Sequence, residues 1–506
     1  MTLSALLSER AKEIPKKICI KFEKTKLTYA EMDEAVSLTA CGLNQLGLNV
    51  KDRAAILMEN SPEYIISYFA IVRAGGISVP LNTFLTQGEI SYILNDCSCK
   101  ILIYSKKFLP QTEEIKKNIP DLKIVLFDEI SRIPPSPPLV KPWLVEGGEG
   151  GFDEDDVAVL LYTSGTTGFP KGAMLTHGNL ISNAKACMEV MHLSHKDRVL
   201  LFLPMFHSFS FTVCVILPIY SGISIVLLTS VKPFSKIIKS IFKDRITLFV
   251  AVPTVYNILS KKRMPFFLRH IFRFFMNIRV CVSGAAALPQ DTLHVFEKRF
   301  KVPLLEGYGL TEASPVVSVN PLKGMRKPTS VGPPLPGVEV AVVGEDGKKM
   351  SSGETGELIV KGANVMKGYF NKEEETKEVL KDGWLYTGDM ARIDEDGYIY
   401  IVDRKKDLII IDGMNIYPRE VEDIATQYPP VEECAMVGIS DGRGSEIPVL
   451  FIKKRENAIV DEGEIRRSLK GRIAQFKMPR RIIFIEEFPK TATGKIKKPD
   501  LRKWKI

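Results

Sequence analysis

Val157-Ala158-Val159-Leu160-Leu161-Tyr162 runs directly into Thr163-Ser164-Gly165-Thr166-Thr167-Gly168-Phe169-Pro170-Lys171-Gly172. The first six residues are apolar or aromatic and read as a buried strand. The ten that follow hold three glycines, four hydroxyl side chains, one lysine and no acid. Backbone N–H groups opened by glycine, with Ser/Thr hydroxyls and a lysine, form a cradle for polyphosphate oxygens. The residue order does not fit G-x-x-x-x-G-K-[ST], which disfavours a P-loop nucleotide hydrolase. Taken alone, a surface turn without a ligand would have the same composition.

On the N-terminal side of this loop, Arg53–Met58, Ile101–Tyr104 and Ile124–Phe127 also read as buried strands. Amphipathic patterns at Ser61–Ala74 and Thr86–Leu94 alternate with them, which predicts βαβ units and a largely parallel sheet. The Pro-rich stretch Ile133–Pro142 and the run Glu146–Gly151 form a surface connector inside this region. Past about Val331, Gly- and Pro-rich turns separate short strands at Val338–Val343, Gly356–Val360 and Tyr398–Ile401, a β-rich texture. The charged junction Asp403-Arg404-Lys405-Lys406-Asp407 then precedes a last α/β segment with a basic end. No fixed-period repeat is present.

A chain of 506 residues exceeds the size of one growing core, so at least two domains are expected. Net charge is +9, a mild bias over this length that suits anionic ligands or lipid surfaces and is too weak to imply nucleic acid. The eight cysteines are dispersed; Cys97 and Cys99 have no second pair to complete a zinc site, and the thiols read as small buried hydrophobes of a reducing compartment. The six histidines form no H-E-x-x-H pattern. The start Met1-Thr2-Leu3 lacks a signal peptide's features, and the longest apolar run, Phe211–Tyr220, is too short to span a bilayer. A cytoplasmic protein is expected, with the inner face of the membrane as a peripheral site.

The loop Tyr162–Gly172 resembles the signature of the adenylate-forming superfamily, which includes acyl-CoA synthetases, luciferases and peptide-synthetase adenylation domains. The likeness extends from near Leu3 to Lys497, in wording most similar to bacterial medium- and long-chain fatty acyl-CoA synthetases. It implies an α/β fold: a large N-terminal domain, 1–403, of α/β-sandwich subdomains and a small β-rich subdomain, and a small mobile C-terminal α/β domain, 404–506. It assigns Thr163, Ser164, Gly165, Thr166, Thr167, Gly168 and Lys171 to ATP phosphates. In Leu203–Phe209, His207 falls where the family gates the acyl pocket; a lone His in an apolar run would otherwise read as a core residue. Gly284, Ala285 and Ala286, in Val282–Pro289, match the turn lining the adenine and acyl sites. In Glu306-Gly307-Tyr308-Gly309-Leu310-Thr311-Glu312, Tyr308 offers a face for a purine, Thr311 a bond to the α-phosphate and Glu312 a hard oxygen for Mg2+, shared with Thr167.

Asp389, in Trp384–Asp389, matches the aspartate holding both ribose hydroxyls, a task suited to a carboxylate acceptor. Arg404 resembles the arginine reaching ribose or phosphates, and Lys406 falls at the hinge. Ile409–Glu422 resembles the loop of the pantetheine tunnel; Gly413 is kept, whereas many relatives have a second glycine at Asp412. Lys495, in Pro489–Ile496, matches the catalytic lysine. Without the resemblance, these basic stretches would read as solvated linker and tail.

The implied reaction is ATP-dependent activation of a carboxylic acid as acyl-AMP, then transfer to the thiol of coenzyme A, with Mg2+. Lys261–Arg279 carries six Lys/Arg, no acid and five phenylalanines. It reads either as a membrane-surface helix collecting fatty acids or as an amphipathic helix packed on the domain. Rival readings are an aryl-acid ligase of the 4-coumarate type, a fatty acyl-AMP ligase or carrier-protein synthetase, and a catalytically silent nucleotide-binding protein. A homodimer stays open.

Overall fold

The computed structural model describes residues 1–130, 133, 152–163, 170–261, 277–411, 414–440, 446–490 and 496–504. It has a mixed α/β architecture of two compact units, a large one and a smaller one. The first comprises Met1–Lys327, Gly332–Glu339 and Val360–Leu385; the second comprises Pro328–Val331, Val340–Ile359 and Tyr386–Ile506. Tyr386–Asp403 therefore packs with the C-terminal residues, although the expected division falls after Asp403.

Two sheets organise the first unit. One runs Gly368–Tyr369, Lys171–Thr176, Val157–Thr163, Ile77–Pro80, Arg53–Leu57, Ile101–Tyr104, Lys123–Leu126. Its last five strands are parallel, as the alternation of apolar runs and helices predicts. Ser61 and Thr86 are the N-caps of helices Pro62–Arg73 and Gln87–Asp96, their hydroxyls accepting from Tyr64 and Glu89 N–H. Phe127 belongs to the short helix Phe127–Ile130, so the expected strand at 124–127 lies one residue earlier.

The other sheet runs Val316–Val319, Leu304–Gly309, Val280–Ser283, Leu248–Ala251, Arg198–Leu201, Ser224–Leu227, Ile18–Phe22, Thr25–Thr28. Its six inner strands are parallel. Leu200, Phe202, Phe249, Tyr256 and Phe296 lead its core. The ring of Tyr256 crosses those of Phe249 and Phe296 nearly at right angles, and its hydroxyl donates to the Phe249 and Val282 carbonyls at 2.9 Å. Val280–Ser283 and Leu304–Gly309 carry the next two motifs at their C-terminal ends, where open parallel sheets place ligand sites.

In the second unit, Asp389–Ile393 pairs antiparallel with Ile399–Arg404, with Asp389 opposite Arg404. Val431–Ser440, Glu446–Lys454 and Arg481–Phe484 form a three-stranded sheet covered by helices Pro418–Ala425 and Glu462–Leu469. All eight thiols are free, six of them buried, in keeping with their reading as small hydrophobes. Among the described residues, no helix is long and apolar enough to cross a membrane.

Candidate active site

The strand that opens the expected phosphate loop pairs with a second strand. Val157–Thr163 folds back on Lys171–Thr176 as an antiparallel hairpin, with Thr163 opposite Lys171. Helix His177–Val190 begins only after the second strand. Lys171-Gly172-Ala173-Met174-Leu175-Thr176 is an apolar run without a turn signal, so it extends the sheet. The two ends of the loop are thus held side by side, and Ser164, Gly165, Thr166, Thr167 and Gly168 lie outside the described residues. Lys171 is buried, its ammonium 5.5 Å from the centre of the Tyr369 ring.

Tyr369 leads from this hairpin to the second motif. Its hydroxyl donates to Glu312 Oε1 at 2.9 Å. Burial and the neighbouring Glu312 charge push the Tyr369 phenol far above its ordinary range, so it stays protonated and a donor. The Thr311–Ala313 turn is pinned by Met366 N–H on the Glu312 carbonyl at 2.8 Å and by Asn364 Nδ2 on the Ala313 carbonyl at 2.9 Å. Gly309 is required there: a Cβ would collide with the Pro315 carbonyl. Gly307 and Tyr308 pair with Val319 and Ser318.

Thr311 Oγ1 lies 3.2 Å from Ser208 Oγ, which joins the third motif to the second. His207 caps the short helix Ser208–Phe211, its Nδ1 accepting from Phe209 N–H at 3.3 Å. The neutral ring therefore carries its proton on Nε2. Phe209 lies against Gly284, where a Cβ would stand 2.8 Å from the aromatic ring, so only glycine leaves that ring its place. Gly284 is buried, Ala285 takes φ +68° and Ala286 is exposed. Glu306 is buried and its Oε1 accepts from Leu288 N–H at 2.8 Å, so one oxygen of this expected nucleotide contact ties the turn after Ala286 to the sheet.

The second unit holds the remaining set. Asp389 is 2% exposed and its Oδ1 meets Arg404 Nε at 2.9 Å across the ladder. Gly388, at φ +68°, gives its N–H to Glu357 Oε1 at 3.1 Å, and Lys405 bridges the other Glu357 oxygen at 2.7 Å. Lys406 is lowered from the usual lysine range by partial desolvation and by Arg404. Its carbonyl accepts from Arg502 Nη2 at 3.1 Å, and Arg502 pairs with Asp407 at 2.6 Å. Asp403 accepts the N–H of Arg419 at 2.8 Å, capping a helix whose own N-cap, Tyr417, supplies no side-chain bond. Gly413 and Lys495 lie outside the described residues; Lys498, just beyond, forms an ion pair with Glu422 at 2.8 Å.

The AMP-binding enzyme family matches residues 7–370, and its C-terminal domain matches residues 420–495. The chain belongs to the AMP-binding enzyme family. This AMP-binding enzyme is 36% identical to a long-chain-fatty-acid–CoA ligase of Bacillus subtilis, over 98% of its own length and 93% of that protein's. It is 34% identical to a feruloyl-CoA synthase of an Amycolatopsis species, covering 98% and 97% of the two chains. In three dimensions it resembles ATP-bound MatB from Rhodopseudomonas palustris, with a TM-score of 0.88, 31% identity and coverage of 99% and 98%. It is an acid–CoA ligase that works with ATP, Mg2+ and coenzyme A.

The chemistry of Glu312 fits the metal. Among the described residues, no group of three His, Cys, Asp or Glu side chains is gathered to cage an ion. A single carboxylate linked through Tyr369 to Lys171 suits Mg2+, which keeps few protein ligands and takes phosphate oxygens. Sequence reading did not single out Ser208 and Tyr369, which the structure brings against Thr311 and Glu312. Ser208 stands inside a quoted motif, next to His207. Tyr369 carried no signal, because its value arises from contacts with Lys171 and Glu312, far away along the chain.

Proposed function

We propose that this AMP-binding enzyme activates a medium- or long-chain fatty acid as acyl-AMP, with release of pyrophosphate, and passes the acyl group to the thiol of coenzyme A. The observation that carries the reading is the approach of Ser208 to Thr311 at 3.2 Å. It sets the His207-Ser208-Phe209 segment, with Phe209 against Gly284, beside the turn assigned to the α-phosphate. A carboxylate held near His207 would then stand next to its electrophile, with its apolar tail toward Phe209. The long-chain ligase relative at 36% identity supports the choice of acid.

A carboxylate oxygen attacks the α-phosphorus of ATP; the new P–O bond forms as the bond to pyrophosphate breaks. AMP becomes the leaving group in place of oxide. This chain's residues hold the reactants in line and meet the charge that gathers on phosphate. His207, through its Nε2 proton, orients the acid. Thr311 and Lys495 bind the α-phosphate, Lys171 and the loop from Thr163 to Gly168 bind the departing pyrophosphate, and Tyr308 faces the purine. Asp389 and Arg404 hold the ribose. Mg2+, held by Glu312 and Thr167, would neutralise the phosphates. In the second step the thiolate sulfur attacks the acyl carbonyl and AMP leaves.

For that step, 404–506 turns about Lys406, withdrawing Lys495 and bringing the Gly413 loop to the thiol. Lys406→Pro, by fixing the backbone there, should spare acyl-AMP formation and stop thioester formation; equal survival of both half-reactions would dismiss the hinge. The function itself is tested by incubation with MgATP and palmitate, with and without coenzyme A, following AMP, acyl-AMP and acyl-CoA by mass spectrometry. Octanoate and 4-coumarate run in parallel. Acyl-CoA formed only with coenzyme A, and faster from the fatty acids, is expected. Preference for 4-coumarate would favour the aryl-acid reading, to which the feruloyl-CoA synthase relative lends weight. Acyl-AMP that accumulates and ignores coenzyme A would point to a carrier-protein acceptor.

A further inference from the structure

We infer that Tyr369 is a positioning residue for the first half-reaction, orienting the Glu312 carboxylate toward the metal and linking it to the lysine of the phosphate loop. The inference rests on the reading of Glu312 as a Mg2+ ligand.

One short segment grips Glu312 twice. Met366 N–H holds its backbone carbonyl at 2.8 Å, and Tyr369 O–H holds Oε1 at 2.9 Å. With the backbone and one oxygen both fixed, the side chain has little rotational freedom. A carboxylate has two oxygens, and the phenol occupies one, so the group is set to present Oε2 as a single-oxygen ligand. That suits an ion whose remaining sites go to phosphate and water.

The same residue belongs to the phosphate-loop hairpin. Gly368 and Tyr369 pair with Met174 and Ala173, and Phe370 N–H donates to the Gly172 carbonyl at 2.8 Å. Gly368, at φ +141°, lets the strand make this turn with Thr376 close by. Thr376 Oγ1 accepts from Tyr369 N–H at 2.9 Å and gives its own proton to the Lys372 carbonyl at 2.7 Å. The backbone of Tyr369 is thereby fixed, and the face of its ring is 5.5 Å from the Lys171 ammonium. Lys171, Tyr369 and Glu312 form one row, cation to ring to hydroxyl to carboxylate. The row sets the spacing between a pyrophosphate-binding cation and a metal-binding anion, two groups that must grip the same triphosphate.

The test is Tyr369→Phe, which removes one oxygen and keeps the ring. A hydrogen bond to a charged group implies about a tenfold rise in the Mg2+ concentration needed for half-maximal acyl-AMP formation. KM for the fatty acid should not change. Calorimetric titration of the full-length protein with ATP should show about tenfold weaker binding in MgCl2 and unchanged binding in EDTA. A merely structural role would weaken both titrations alike, and that result, or an unshifted Mg2+ dependence, would overturn the proposal. Glu312→Gln is run beside it to separate the two ideas. If Glu312→Gln shifts the Mg2+ dependence and Tyr369→Phe does not, only the positioning role falls. If neither variant shifts it, the metal role of Glu312 falls and takes the positioning role with it.

Discussion

Glu312 and Asp389 are two carboxylates held by different kinds of architecture. Glu312 is half-buried in an irregular turn and accepts a hydrogen bond from the Tyr369 hydroxyl, 57 residues away, at 2.9 Å. Asp389 is almost wholly buried at the end of an antiparallel ladder, beside a register shift after Met390, and meets its cross-strand neighbour Arg404, also at 2.9 Å. The turn places its carboxylate through tertiary bonds to Asn364, Met366 and Tyr369; the ladder places its carboxylate through register. The turn can therefore aim one oxygen at an ion, whereas the ladder offers an acceptor of fixed position. In the proposed roles, the first site needs a charge and the second needs lone pairs.

That difference can be broken by experiment. Glu312→Gln keeps the shape and removes the charge, and it should slow acyl-AMP formation by roughly a hundredfold or more with little change in melting temperature. A loss under threefold would mean that charge at the turn is dispensable. Gly309→Ala attacks the frame and not the carboxylate. The methyl group must displace the Pro315 carbonyl, so the chemical-denaturation midpoint should fall by an amount equal to about 3 kcal/mol. An unchanged midpoint would show that the turn yields at little cost, and the contrast with the ladder would lose its basis. Asp389→Asn retains one acceptor and should have the smallest effect. ATP binding should weaken about tenfold, and stability should change by less than about 1 kcal/mol, because Arg404 is half exposed and can turn to water. A hundredfold loss of ATP binding would show that Asp389 also acts through its charge.

Much of the fold can be read along the chain. Caps at Ser61 and Thr86, buried β-branched runs and their alternation with helices define parallel strands without reference to anything distant. The hairpin at Lys171–Thr176 is not legible in this way. An apolar run after a Gly-rich loop fits a strand or a buried helix equally well, and the partner strand decides. Thr311, Glu312, His207 and Asp389 stood out through the motifs around them. The partner of Asp389, Arg404, stood out too, but those of Thr311 and Glu312 did not, since Ser208 reaches Thr311 across 103 residues and Tyr369 reaches Glu312 across 57.

The sequence by itself determined the residue types at each motif, the family to which they belong and the alternation that builds the parallel sheets. These are properties of short stretches, set by side-chain chemistry and local periodicity. Only the tertiary structure decided that Phe209 needs Gly284 bare, that Glu306 gives one oxygen to Leu288 N–H, and that Lys171, Tyr369 and Glu312 stand in a row. Such contacts depend on how separate elements pack, and packing fixes distances that no single stretch of chain encodes.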